Sequence, residues 1–341
     1  MDKFNTPDKM KAIILPSYNS NIIRAMLSLR IEEKDIPKPG SNQVLIKIEA
    51  APCNPSDIAF IRGMYNIEKT LPCVLGFEGS GKVVETGKEA QHLLGKKVSC
   101  FAQNDSNGTW AEYFIAEANN CIIIKEKMDI EQAACFSINP FTAYGLLDIA
   151  KQMHTNGIIQ NAASGQIGIF IQSMAKKEKI KIINIVRKDE HIELLKNRGE
   201  EYVLNSQTEG FEEQLTKLAY EINAVTAFDA VGGEITGQIV NAMPPGSKTI
   251  LYGGLSGKAV SDISTLEIIF KDKTLTGFNL NEWIKEIGKK RFNEISLILQ
   301  NMIINGEIRT EIQGEFKLED VVKAIRQYIT NMSKGKILFK P

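Results

Sequence analysis

The residues best suited to chemistry lie where the apolar run Ile158–Ile159–Gln160 meets Asn161–Ala162–Ala163–Ser164–Gly165–Gln166–Ile167–Gly168, followed by a helix-like stretch. Ala163, Gly165 and Gly168 hold the three positions of G-x-G-x-x-G, with Ala in place of the first Gly. That spacing serves a dinucleotide. The turn must be tight, the backbone must come close to a pyrophosphate, and the helix must pack closely on its strand. The N–H groups at the helix start then face the anion, aided by the helix dipole. Ala163, Ser164, Gly165, Gln166, Ile167 and Gly168 are therefore the candidate cofactor-binding residues. A plain strand-to-helix connection is the alternative, but the strand before, the helix after and a charge switch at the right distance favour the cofactor. The switch is Arg187–Lys188, about 20 residues beyond the last glycine, where an NAD site usually carries Asp or Glu. A basic residue there suits the 2′-phosphate of NADPH, and the guanidinium fork of Arg187 matches phosphate oxygens. Asp189 and Glu190 keep NADH as the alternative. Val231–Gly232 and Tyr252–Gly253–Gly254 follow later strand-like runs, and such turns let the nicotinamide half approach.

The elements that must position this turn read as alternating strands and helices. Ile158–Gln160 leads into Gly165–Lys177, Ile180–Val186 into Glu190–Arg198, Tyr202–Leu204 into Phe211–Glu221, and Ala227–Ala230 into Ile235–Ala242, with Thr249–Leu251 after them. A repeating β–α order implies a doubly wound parallel sheet with helices on both faces. Before about Ile130 the character differs. A loose extension of nine residues precedes the strand-like Met10–Leu15. Short apolar runs follow at Val44–Ile48, Gly81–Val84, Lys97–Phe101 and Cys121–Ile124. They are punctuated at Pro37–Gly40, Pro52–Pro55, Gly76–Gly81 and Asn104–Gly108, a β-rich pattern with loops. Two amphipathic stretches, Glu294–Ile304 and Leu318–Tyr328, and a strand at Lys336–Phe339 close the chain. That tail is too short for its own core, so it is expected to complete the first domain. The expected division is 1–135 with 284–341 for the β-rich domain and 136–283 for the cofactor domain.

The 341 residues suggest about two domains at roughly 150 residues each. Equal numbers of basic and acidic side chains, 41 each, argue against a nucleic-acid or polybasic membrane-surface partner. With 43% hydrophobic and 24% charged residues the chain is globular in composition rather than disordered. The cysteines, Cys53, Cys73, Cys100, Cys121 and Cys135, are odd in number and scattered, which reads as reduced thiols. The opening MDKFNTPDKMKAIILP lacks the apolar core of a secretory signal and the Arg-rich, acid-poor character of a transit peptide. The expected place is the cytoplasm, with no membrane partner.

Beyond the turn, the chain resembles the medium-chain dehydrogenase/reductase superfamily over nearly its whole length from Met10. The stretches that carry the resemblance are Asn54–Asp57, Gly76–Gly79, Gly108–Tyr113, Asn139–Tyr144 and the Ala163–Gly168 turn. Within the superfamily it is most similar to the zinc-independent trans-2-enoyl-CoA (2-enoyl thioester) reductases. The shared features are Arg62–Tyr65, Ile159–Ala162, Asn184–Arg187 and Phe270–Asp272 through Gly277–Phe278 to Trp283. It is similar, too, to the quinone oxidoreductases. The resemblance implies a GroES-like β-rich catalytic domain, a Rossmann cofactor domain, a cleft between them, and usually a homodimer joined through the cofactor domains.

Zinc members of the superfamily hold a catalytic metal with Cys, His or Glu, and Cys or Asp. Here Asn54 stands in the place of the first Cys and Phe77 replaces the His. Ser137–Asn139, where the third ligand falls, offers no strong zinc ligand. The four cysteines of the structural zinc lobe are missing, and His92, His154 and His191 lie elsewhere, so no metal is expected. Without a Lewis acid, alcohol oxidation is hard to support. Hydride delivery to an activated C=C needs only donors for the developing enolate and a proton for the α carbon. Tyr65 matches the tyrosine proposed as proton donor or enolate stabiliser in the enoyl reductases, with an ordinary loop tyrosine as the alternative. Asn54 could donate to the substrate, orient the nicotinamide ribose, or simply cap a turn. Thr142 lies in a segment that touches the nicotinamide in the family, or is a helix-face hydroxyl. Phe278 is a further candidate cofactor contact; it and Trp283 either line an acyl pocket or pack the core, whereas Trp110 reads as core. Asn279 stands where close relatives often carry a bulky aromatic, so the acyl pocket differs in width or polarity. The expected activity is NADPH-dependent reduction of a 2-enoyl thioester. An NADPH:quinone oxidoreductase and a non-catalytic NADPH-binding protein are the alternatives.

Overall fold

The computed structural model describes residues 6–102 and 107–341. Residues 1–5 of the expected extension and part of the expected Asn104–Gly108 turn lie outside that range. The chain forms two compact units. One is built from residues 1–139 together with 296–341, the other from residues 140–295.

The first unit begins with β1 (Lys9–Leu15), α1 (Ile22–Ser28), β2 (Arg30–Asp35), β3 (Gln43–Pro52) and α2 (Pro55–Ile61). It continues through β4 (Cys73–Val74), β5 (Glu78–Thr86), β6 (Lys97–Phe101), β7 (Tyr113–Glu117), β8 (Cys121–Ile123) and α3 (Ile130–Ala134). The second unit contains α4 (Asn139–Gln152), β9 (Gly157–Gln160), α5 (Gln166–Lys177), β10 (Lys181–Val186), α6 (Asp189–Asn197), β11 (Tyr202–Asn205) and α7 (Phe211–Glu221). After these come β12 (Ala224–Asp229), α8 (Glu234–Ala242), β13 (Lys248–Leu251), α9 (Thr265–Lys271) and β14 (Thr274–Gly277). Helix α10 (Leu280–Ile304) bends at Gly288, whose φ of 71° only glycine adopts freely, and it carries the division between the units. The chain thus rejoins the first unit at Ser296, later than the expected 284. β15 (Ile312–Phe316), α11 (Val321–Thr330) and β16 (Lys336–Phe339) complete that unit.

In the first unit, β2-β1-β4 form a small sheet, and a larger one runs β15-β16-β3-β5-β6-β8, with β7 also on β3. The returning strand β16 pairs antiparallel with β3 at Leu338–Pro52 and Phe339–Ala51. Trp110, fully buried, donates its indole N–H to Pro52 O at 2.9 Å and packs its ring 4.7 Å from Phe339. It is core, as its sequence context suggests. The apolar interior gathers Ile13, Ile46, Phe60, Phe77, Phe114, Ile325 and Phe339. In the second unit six strands run parallel in the order β11-β10-β9-β12-β13-β14. Strand order reverses between β9 and β12, the switch point outside which such sheets bind ligands. α5 buries Phe170, Ile171, Met174 and Ala175, the stripe spacing of a helix lying on a sheet. Among the described residues, no helix is long and apolar enough to cross a membrane.

Candidate functional site

In the second unit the dinucleotide turn opens at the carboxyl end of β9. Gly165 is the residue before α5, and the first helical bond runs from Ile169 N–H to Gly165 O, so the amides of Gln166, Ile167 and Gly168 precede the helix's own ladder. A Cβ on Gly168 would stand 2.6 Å from Ala163 O, so only glycine lets the helix sit this close to the turn. Ala162 adopts φ 48°, a conformation costly for a residue with a side chain. What holds it there is a set of buried bonds. Asn161 Nδ2 donates to Asp229 Oδ1 at 2.6 Å, while Asn161 Oδ1 accepts from Ala230 N–H at 2.7 Å. Thr236 Oγ1 donates to the other Asp229 oxygen at 2.5 Å. These bonds tie the turns after β9 and β12 together at the switch point. Beneath them, the Gln160 and Gln172 amides both donate to Asn184 Oδ1, and Gln172 also donates to Ala163 O.

The remaining expected cofactor residues fall along the same strand ends. Arg187 and Lys188 are exposed at the end of β10, with Lys188 Nζ 3.3 Å from the Glu190 carboxylate. The N–H groups of Val231 and Gly232 are already bound by Asp229 Oδ1, at 2.7 and 3.0 Å. They are not donors for a ligand, so this turn can serve only by close approach. Tyr252–Gly253–Gly254 lies against the same turn, since a Cβ on Gly253 would meet Ala230 O at 2.7 Å. Burial pushes the Tyr252 phenol up, and Asp229 adds to the rise. Thr142 is buried near the start of α4. Phe278 is half-buried and Trp283 buried. Their rings pack on Gly145 of α4 and lie 6.1 Å from each other, so Trp283 belongs to packing.

In the first unit Asn54 and Tyr65 each contact one residue of the Gly76–Gly79 stretch. The Tyr65 ring packs 5.4 Å from Phe77. The Asn54 amide donates to Glu78 Oε1 at 2.8 Å, and Ser137 Oγ donates to Glu78 Oε2 at 3.0 Å. Asn54 stands just before α2, and its N–H donates to Asp57 Oδ2 at 2.7 Å, so it also marks the helix start. Three further groups escape a reading of the sequence. Lys336 of β16 donates to Asn54 Oδ1 and lies 3.5 Å from Tyr328 OH. Glu78 is fully buried, and burial raises its carboxyl while Asn54, Lys336 and Ser137 pull it back. Lys69 is buried with Nζ 5.4 Å over the Phe77 ring.

Residues 40–126 match the family described as the alcohol dehydrogenase GroES-like domain, and residues 167–297 match the zinc-binding dehydrogenase family. The mitochondrial enoyl-[acyl-carrier-protein] reductase of Mus musculus is 30% identical over 325 residues, covering 94% of this chain and 85% of that protein. Its counterpart in Xenopus tropicalis is 30% identical over 326 residues, 91% of each. A solved structure from Mesorhizobium loti, described as a candidate NADPH:quinone reductase, matches with TM-score 0.93 at 33% identity, covering 99% of this chain and 100% of that one. The chain belongs to the medium-chain dehydrogenase/reductase superfamily. As a member of it, the protein is an oxidoreductase.

Zinc binding, which one of the matched families is named for, can be tested against the donors present at the positions where zinc members place their ligands. The Asn54 amide and Ser137 hydroxyl are engaged with Glu78, the Phe77 ring is wedged between Phe60 and Tyr65, and the Lys336 ammonium touches Asn54. An ammonium in contact with the site repels a divalent cation, and an aromatic ring offers no lone pair, so this donor set does not fit zinc. Among the described residues no group of three or more His, Cys, Asp or Glu is placed to hold a metal ion.

Asp57 sits 1% exposed beside this cluster, with Oδ1 lacking a hydrogen bond. Burial pushes its carboxyl from 3.8 up to about 7, against the pull of the Asn54 N–H and with a push from Glu78. The folded protein therefore holds a proton that the unfolded chain releases, and the stability this gives is full below about pH 4 and lost as pH rises through about 7. Asp57→Asn, which stays neutral, is expected to keep its melting temperature across that window while the wild type falls relative to it. Parallel wild-type and variant thermal curves would remove the assignment.

Proposed function

We propose that the protein is a zinc-independent, NADPH-dependent reductase of 2-enoyl thioesters. The observation that carries this reading is the Asn54 amide held between Glu78 and Lys336 at a site whose donors do not suit a metal, with the Tyr65 ring packed on the adjacent Phe77. The curated relatives at 30% identity, named as enoyl reductases, support the same reading. NADPH, when bound, supplies the hydride. The α5 N-terminus and the Ala163–Gly168 turn would hold its pyrophosphate, Arg187 and Lys188 its 2′-phosphate, and Thr142, Gly232, Gly253 and Gly254 its nicotinamide half. Hydride adds at the β carbon of the thioester. Asn54 donates an N–H to the oxygen on which charge develops, and Tyr65 delivers the proton to the α carbon. The Tyr65→Phe variant is expected to reduce crotonyl-CoA at least about 100-fold more slowly, with NADPH binding unchanged. Equal rates would reject the role. Arg187→Ala is expected to weaken NADPH about 10-fold or more and leave NADH unaffected, since one charge-assisted bond is at stake. Equal loss for both coenzymes in equilibrium titration would reject the phosphate contact.

The Mesorhizobium loti structure, at 33% identity, favours a second reading, NADPH:quinone oxidoreduction. A quinone takes its proton from water, so Tyr65→Phe would then leave turnover intact.

Self-association is part of the proposal. None of the residues of α9 is buried. Leu266, Ile269 and Phe270 are 63%, 62% and 77% exposed, and among the described residues the neighbouring β14 is an edge strand paired only with β13. A bare apolar helix beside an open strand edge is the kind of surface a protein covers. A second copy of this chain is the occupant, giving a homodimer through the cofactor units. Wild type is expected to sediment as a dimer and Leu266→Glu/Phe270→Glu as a monomer; a monomeric wild type at micromolar concentration would contradict this. The five cysteines are free thiols, which suits a reducing compartment, and our reading is the cytoplasm.

A further inference from the structure

The Asn54 amide stands between two buried charges. Its oxygen accepts from the Lys336 ammonium, and its nitrogen donates to the Glu78 carboxylate 2.8 Å away. Glu78 is 0%, Asn54 2% and Lys336 5% exposed, so water does not screen the arrangement. Turning the amide over would set its NH2 against the ammonium and its oxygen against the carboxylate, replacing two charge-assisted bonds with two repulsions. The amide orientation is thereby fixed from both ends. An Asn amide carries two N–H donors, and Glu78 takes one. The ammonium on the oxygen draws charge from the nitrogen and strengthens the other N–H as a donor. The remaining bonds serve the same end. Ser137 Oγ donates to the second Glu78 oxygen, Thr109 Oγ1 donates to Glu78 O at 2.6 Å, and Tyr328 OH lies within reach of Lys336. Packing alone does not call for such an arrangement, because apolar side chains of similar volume often replace buried ionic groups without loss of stability.

We propose that Glu78 and Lys336 are positioning residues for the reduction: they hold the Asn54 amide in one orientation and leave its second Nδ2 hydrogen for the carbonyl oxygen of the acceptor. This rests on the reading of Asn54 as a donor to the acceptor. Lys336 then acts only through Asn54, which a double-mutant cycle resolves.

The measurement is the single-turnover rate of NADPH oxidation with crotonyl-CoA or a benzoquinone, whichever the wild type reduces. Asn54→Ala is expected to slow it about 100-fold, as loss of one oxyanion donor does. Lys336→Met is expected to slow it about 10-fold or more, with the NADPH dissociation constant unchanged in each variant. The double variant Asn54→Ala/Lys336→Met should match Asn54→Ala alone. Losses that multiply, or a Lys336→Met variant of wild-type rate, overturn the proposal. If thermal unfolding shows that Lys336→Met does not fold, Glu78→Gln/Lys336→Met, which buries no charge, replaces it in the same cycle with the same expected non-additivity. A wild type inert toward both acceptors removes the reading of the reaction and this proposal together. An active wild type with an unaffected Lys336 variant removes the proposal alone.

Discussion

A carboxylate sealed from water must be hydrogen-bonded on both oxygens, and in each unit of this protein one such carboxylate organises the loops around it. In the first unit it is Glu78, in the second Asp229, and both are fully buried. Each is gripped by the amide of an asparagine, Asn54 and Asn161, and by a hydroxyl, Ser137 and Thr236. Satisfying Glu78 draws together the start of α2, the start of β5 and the segment after α3, with Lys336 of β16 joining through Asn54. Satisfying Asp229 fixes the turns after β9 and β12 where the strand order reverses. Removing either acid would leave amides and hydroxyls buried without partners, a cost of about 1–3 kcal/mol for each group.

The two clusters divide the chemistry. The one at Asp229 shapes a turn through its backbone: Ala162 is held at a positive φ and Gly168 lets the helix approach. It can do so because its own amides at Val231 and Gly232 are bound internally. The cluster at Glu78 does the reverse, presenting side chains. Where zinc members of the superfamily place a cation among anionic and neutral ligands, this chain places a neutral amide between an ammonium and a carboxylate. A neutral donor of that kind suits an acceptor already polarised by its own carbonyl.

The parts legible in the sequence are those written over short spans. The turn at 161–168 is one uninterrupted strand–glycine–helix signal, and Arg187 follows it at fixed spacing along the same sheet. The parallel strands β9 to β12 read directly because each is a short apolar run before a helix. The Asn54 cluster is not legible in this way. Lys336 reaches Asn54 across 282 positions of chain, and in sequence it is one lysine at the start of a short strand. Glu78 could have been suspected, since an acid set directly after the apolar Val74–Leu75–Gly76–Phe77 has to be neutralised by something if it is buried. In α9, Leu266, Ile269 and Phe270 do have the i, i+3, i+4 spacing of a helix, but that stripe faces outward instead of marking a core, and β14, TLTG, is too short to read as a strand. Only the second half of α10 reads as a helix, because Gly288 interrupts the pattern.

The proposed reaction is direct transfer of hydride from NADPH to carbon. Its sharpest test is the reduction of crotonyl-CoA with NADPH carrying deuterium at both C4 positions of the nicotinamide, followed by mass and NMR analysis of the saturated thioester. One deuterium at the β carbon, with the α-carbon proton drawn from solvent, is the predicted result. A product without deuterium, or no product while a quinone is reduced rapidly, would contradict it.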